Sequence, residues 1–199
     1  MERNMMNHMA NWRQLGAEIF WGEIAPCEHL VQIYEEDGAF LDCLAGFVSG
    51  GLKAGEAVII IASAAHRHSL EFRLRAQGVN LAAAVMEGQY FAFDAEQSLS
   101  KFMVEGWPDE NLFNHFVNSL LARARGKNDR RVRAFGEMVA VLWAEGHNGA
   151  TVRLEHLWHQ FCGKAAFSLF CAYPRTGFTQ DADASIRAIC AEHSKVIAA

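Results

Sequence analysis

The run Ala57-Val-Ile-Ile-Ile-Ala62 constrains this chain more than any other stretch: every position is apolar, the centre is β-branched, and nothing alternates. A strand with one wet face alternates apolar and polar residues. An unbroken run of this length therefore points to a strand covered on both faces, as in a parallel sheet between two helical layers. The preceding residues fit that reading. His29-Leu-Val-Gln-Ile-Tyr34 reads as a strand, and Phe40, Leu41, Leu44, Phe47, Val48 and Leu52 recur at the spacing of a core-facing helix. Asp37 is placed to cap that helix and Gly55 to close it. Residues 29–62 thus form a strand–helix–strand unit, the place where a nucleotide-binding α/β protein keeps its phosphate loop.

The turn at that place is Tyr34-Glu35-Glu36-Asp37-Gly38, with three carboxylates and no Gly-Lys-Ser/Thr. A phosphate cradle needs backbone N–H groups, a lysine and a helix N-terminus aimed at anionic oxygens. Three acids put like charge there instead. The nearest approximation to a phosphate loop, Gly46-x-x-x-Gly50-Gly51-Leu52-Lys53, lies within and at the far end of the helix. The acids have two readings: favourable charge at a helix N-terminus, or a ligand role in which Tyr34 and Glu35 take part.

Alternation continues downstream. A helix from Ser63 turns Leu70 and Leu74 inward and ends at Gly78; a short helix over 81–86 stops at Gly88, and 89–93 is a third strand. Residues 95–106 read as a short helix and loop before Trp107-Pro108. An amphipathic helix follows from Asp109 to Arg125, a strand at 132–136, and a helix at 139–143 that breaks at Gly146–Gly149. A helix from Thr151, a strand at 167–173 and a final helix over 182–197 complete the pattern. No connection is short enough for a hairpin. The expectation is a three-layer α/β domain over 27–199, with a mostly parallel sheet and helices on both faces. An N-terminal helical segment over 1–26 presents Trp12, Leu15, Ile19 and Phe20.

In such sheets ligands bind beyond the C-terminal strand ends, so Tyr34, Glu35, His66, Glu137 and Tyr173 are the candidate ligand-binding residues. Glu137 sits between Val132-Arg-Ala-Phe-Gly136 and Met138-Val-Ala-Val-Leu-Trp143. A carboxylate in such apolar company needs a partner. That partner is either a ligand, water or histidine across the strand ends, or Arg133 or a backbone amide in a structural role. His66 is nearer the strand end than His68. His29, at the far end of the first strand and about 16 Å from Tyr34, reads as structural. His156 and His159 have a chelating spacing, but they fall opposite the Leu154/Leu157/Phe161 stripe with no third ligand in view. Cys171 lies in an apolar strand and reads as core. No nucleophile elbow, metalloprotease motif or dinucleotide fingerprint occurs, so neither a catalytic residue, a metal nor a cofactor is expected.

Composition narrows the function classes. The chain is 51% hydrophobic and 21% charged, enough for a core, and its net charge of −5 leaves no basic face for nucleic acid. No apolar run reaches the ~20 residues of a membrane span, and the first residues lack the apolar core of a signal peptide. Five cysteines without Cys-x-x-Cys spacing fit reduced thiols, hence a cytoplasmic location.

Several segments together resemble the MEDS family, the methanogen/methylotroph sensory domain of DcmR-type regulators. They are His29–Tyr34, Gly51-Leu-x-x-Gly-Glu56, Val58–Ala62 with His66, Leu74-x-x-x-Gly78, Phe135-Gly-Glu-Met-Val139 with Leu142-Trp143, Leu154-Glu-x-Leu-Trp158 and Phe167–Pro174. The resemblance covers about residues 27–190. It implies a RecA/KaiC-like fold without a working phosphate loop, in which Tyr34–Gly38 replaces that loop and Glu137 lies close to the Walker B acid. It also implies a non-hydrolysing sensor of a small ligand such as a hydrocarbon derivative. Such a sensor would act through a histidine kinase, a regulator protein or a homodimer. The 28 residues before the match are too few for a helix-turn-helix or kinase module, so a stand-alone sensor is expected. A diverged ATPase-like enzyme with Glu137 as base, and an interaction module docking through Trp12, Phe20 and Trp21, are the alternatives.

Overall fold

The computed structural model describes Trp21, residues 24–25, 27–178 and 182–197. The expected helix over residues 10–22 lies, apart from Trp21, outside the described residues.

Six strands form one parallel sheet: β1 (His29–Tyr34), β2 (Ala57–Ala62), β3 (Tyr90–Asp94), β6 (Val132–Gly136), β7 (Ser168–Pro174) and β8 (Lys195–Ile197), in the order β3-β2-β6-β7-β1-β8. Helices cover both faces, as expected for a three-layer α/β fold. All six residues of β2 are buried, which accounts for their unbroken apolar character. Alternate residues of each strand feed two cores. Leu30, Tyr34, Val58, Ile60, Phe135 and Phe170 pack beneath α1 (Asp37–Lys53), α2 (Ala64–Ala76) and α3 (Leu81–Met86). Val31, Ile59, Ala134, Cys171 and Tyr173 pack on the other face, beneath α4 (Ala95–Leu99), α5 (Glu110–Arg125), α6 (Met138–Ala144), α7 (Asn148–Cys162) and α8 (Ala182–Ala191).

Three expectations are corrected. Met103–Val104 (β4) and Trp107–Pro108 (β5) form a small antiparallel ribbon, so one hairpin does exist. Its turn residues Glu105 and Gly106 have φ of 50° and 79°, the positive values a two-residue hairpin turn requires. The final helix stops at Ala191, and 195–197 pairs with β1 instead. The unpaired N–H and C=O groups of β1 offer the tail more backbone hydrogen bonds than another helical turn would. Asp37 is the first residue of α1 rather than its cap; Glu36 holds that position and makes no side-chain cap.

Trp21 is part of the core. Its ring lies 5.4 Å from Phe47 and 5.9 Å from Phe170, and the residue is only 4% exposed. It is therefore unavailable as a docking residue in the folded chain. The glycines of α1 make room for it: a Cβ on Gly46 would come within 2.7 Å of the indole, and one on Gly51 within 2.9 Å of Arg133. Arg133 is buried on β6 and pairs with Glu56 at the N-terminal end of the sheet, far from Glu137 along its strand.

Candidate functional site

The sheet divides at neighbouring strands β2 and β6. The chain leaves β2 into α2, whose Leu70 and Leu74 pack on the α1 face; it leaves β6 into α6, whose Met138 and Val139 pack on the opposite face. Diverging connections open a crevice beyond the strand ends, the topological switch point where α/β sheets place ligands. His66 follows β2 and Glu137 follows β6, so the topology brings them together there.

Glu137 is held on both sides. Its backbone N–H donates to the Ile61 carbonyl at 2.8 Å, continuing the β2–β6 ladder by one residue. The Ser63 N–H donates to Glu137 Oε2 at 2.8 Å, and Glu137 Oε1 lies 2.7 Å from His66 Nδ1. The partner demanded by its apolar surroundings is thus a histidine and a backbone amide together, and Arg133 is engaged elsewhere. Ser63 caps α2 by accepting from the His66 backbone N–H at 3.3 Å, which fixes the start of the helix that carries the imidazole.

Because a carboxylate accepts, His66 Nδ1 carries the proton in this pair, and Nε2 is the nitrogen on the Asp37 side. Nε2 lies 4.0 Å from Asp37 Oδ2. The Phe40 ring stands edge-on to the imidazole at 5.3 Å, and Tyr34 stacks on Phe40 at 4.5 Å with 13° between planes. The hydrogen bond His66 donates to Glu137 raises its pKa above 6.5, opposed by burial and helped by the charges of Glu137 and Asp37. Burial, with Asp37 and Glu137 nearby, raises the Tyr34 phenol as well. Chemically, Nε2 is a donor when His66 is protonated and an acceptor when it is not, set beside an aromatic wall.

Of the residues expected from sequence, Tyr34, His66 and Glu137 belong to this cluster. Glu35 does not join it: its side chain is 70% exposed and lies 3.8 Å from Arg175 at the end of β7. Asp37, two residues further, is the acid of the acidic turn that comes nearest His66, 4.0 Å from its Nε2. Tyr173 points to the other face of the sheet. It pairs in register with Ile33, not Tyr34, and its hydroxyl is hydrogen-bonded to Glu155 in α7. Burial pushes Glu155 up to about 8 against the opposing effect of that hydrogen bond. Asp37 and Phe40 were absent from the expected set, yet their i, i+3 spacing at the start of α1 places them on one face. His156 and His159 are exposed, as their phase on α7 suggests. Two surface cavities of about 230 and 120 Å³ lie elsewhere, and neither is lined by Tyr34, His66 or Glu137.

A parallel α/β domain with a histidine–carboxylate pair at a sheet switch point, and an acidic turn after its first strand, is the class these features define. The family model for MEDS, the methanogen/methylotroph DcmR sensory domain, matches residues 28–194, and the chain belongs to that family. A comparison with curated proteins returned no match.

Proposed function

We propose that this domain, in its sensory and signalling role, binds a small molecule at the ends of β2 and β6 through His66, with Glu137 fixing the imidazole and Tyr34 and Phe40 forming the wall. The observation that carries the reading is the 2.7 Å His66–Glu137 pair, which leaves Nε2 without a close hydrogen bond, 4.0 Å from the exposed Asp37 carboxylate, with the Phe40 ring edge-on to the imidazole and stacked on Tyr34. A polar atom on a small, largely apolar molecule, such as a hydrocarbon derivative, suits that combination of one ring nitrogen and one apolar wall. Signal output passes to a partner, a histidine kinase or a regulator, or to a second copy of the chain.

The reading is non-enzymatic. Both Glu137 oxygens accept hydrogen bonds, Oε2 from the Ser63 N–H and Oε1 from His66 Nδ1, an arrangement that suits a carboxylate holding an imidazole in place. The Ser63 hydroxyl is occupied in capping α2. A RecA/KaiC-like ancestry is supported by the all-parallel sheet, by α1 following β1 directly, and by the acid at the end of β6.

A panel of small alcohols, carboxylates, amines and halogenated hydrocarbons, followed by thermal shift and by the His66 ring resonances, tests the site. Glu137→Gln keeps an acceptor for the Ser63 amide but weakens the hold on the imidazole. Any compound that shifts the His66 resonances of the wild type should lose tenfold or more in affinity, from the ~1.5 kcal/mol or more of a charged hydrogen bond. Equal affinity in wild type, Glu137→Gln and His66→Ala would remove these residues from the ligand site.

A further inference from the structure

On the sheet face opposite Tyr34 and Phe40, four buried side chains converge. His29 at the start of β1, Glu155 in α7, Cys171 in β7 and His193 in the turn before β8 each offer one ligating atom, all within 4.8 Å of one another. Glu155 Oε2 lies 3.6 Å from His29 Nε2, 3.5 Å from His193 Nε2 and 3.9 Å from Cys171 Sγ; Cys171 Sγ lies 3.5 Å from His29 Nε2. Zinc bonds of about 2.0–2.3 Å put the edges of a tetrahedral site at roughly 3.3–3.7 Å. The four separations just given, 3.5–3.9 Å, are close to that, and the remaining pairs lie within 4.8 Å.

The surroundings are built for ligation. His193 Nδ1 lies 2.7 Å from the Ile189 carbonyl, which can only accept, so its Nε2 carries the lone pair. That Nε2 is fully buried, finds no hydrogen-bond partner, and faces Glu155 Oε2. Tyr173 occupies the other Glu155 oxygen, Oε1, and so leaves Oε2 for the centre. Ser194 fixes the turn over β1: its N–H donates to the His29 carbonyl at 2.7 Å, and the His29 N–H donates to its hydroxyl at 2.9 Å. A backbone carbonyl behind one imidazole and a phenol behind the carboxylate are the outer partners that orient metal ligands.

We propose that His29, Glu155, Cys171 and His193 hold one divalent transition-metal ion, zinc foremost. The donor set of two imidazoles, a thiolate and a carboxylate suits a borderline-soft ion and not calcium or magnesium. A dication with one thiolate, one carboxylate and two neutral imidazoles has zero net charge, the condition under which such groups are cheapest to bury. Binding sends the Cys171 thiol proton, and any proton on Glu155, to solvent. With all four positions filled by protein the site is structural. It fastens the turn carrying His193, and with it β8, to β1, β7 and α7.

The full chain, prepared without a histidine tag and stripped with a chelator, is reloaded with zinc or cobalt(II) and dialysed. One metal per chain is expected, with cobalt giving the intense d–d bands of a tetrahedral site and a thiolate charge-transfer band. Cys171→Ser should abolish the charge-transfer band, His193→Ala should lower affinity at least tenfold, and Tyr173→Phe should weaken binding ~10–100-fold while keeping the spectrum. Wild-type protein that retains no metal, or that shows cobalt bands without thiolate charge transfer, overturns the proposal, whatever the variants do. Metal retention unchanged in both Cys171→Ser and His193→Ala overturns it too, and would point to exposed groups such as His156 and His159.

Discussion

At the scale of single residues, His66 carries the most chemistry for its size. Its hydrogen bond to Glu137 stabilises the imidazolium, so its folded pKa lies above the 6.5 of an unfolded histidine. The sign follows by linkage. A raised folded pKa contributes stability that is complete below about pH 6.5 and is lost as the pH climbs through the folded pKa. A His66 titration by NMR should therefore have its midpoint above 6.5. In Glu137→Gln the first cause is gone and burial acts against only Asp37, so the midpoint should fall. A midpoint unchanged by that substitution would show that Glu137 does not hold the ring in solution. Residue-level legibility was uneven for a physical reason. Glu137 stood out because an acid in apolar company must have a partner. Tyr173 misled because a position at a strand end specifies height above the sheet but not which face the side chain takes; that is set by register against β1. Glu35 misled because three successive acids point in different directions, and only Asp37 lies on the helix face turned to His66.

At the scale of elements, α1 shows how a glycine pattern can imitate one function while serving another. Gly46 and Gly51 lie against Trp21 and Arg133, so their role is close approach and not phosphate binding. Gly46→Ala would gain about 1 kcal/mol from helix propensity alone. The clash with a buried indole reverses that, and chemical denaturation should show a net loss of about 1–3 kcal/mol. Gly38, with no atom within 4 Å of an added Cβ, is the control: Gly38→Ala should leave stability unchanged or raise it by up to ~1 kcal/mol. If both substitutions behave alike, the packing account of Gly46 fails. The strands were the most legible elements, with β1, β2 and β6 falling on their expected residues: β2 is an unbroken apolar run, and β1 and β6 are short, mostly apolar runs bounded by turn and helix signals. The tail was read as helix throughout because its residues tolerate a helix, and the exposed edge of β1 that captures 195–197 is invisible in a linear sequence.

At the scale of the molecule, the chain leaves neighbouring strands β2 and β6 toward opposite faces of the sheet, while the charges at the start of α1 oppose a nucleotide. Glu36 at the helix N-cap and Asp37 in its first turn meet an incoming triphosphate with like charge. Calorimetric titration with Mg-ATP or Mg-GTP to millimolar concentration should give no binding; saturable binding in that range would restore the enzymatic alternative. Among the described residues no helix is long and apolar enough to cross a membrane. The sequence by itself determined the layer architecture, the parallel sense of the sheet and the acidic character of the turn after β1, because periodicity, helix length and local charge are properties of neighbouring residues. The tertiary structure alone decided which face each side chain takes, that Trp21 belongs to the core, and that His66 meets Glu137. It also decided that His29, Glu155, Cys171 and His193 converge. These depend on strand order and register, which join residues distant in the sequence: His66 and Glu137 are 71 positions apart, His29 and Cys171 142.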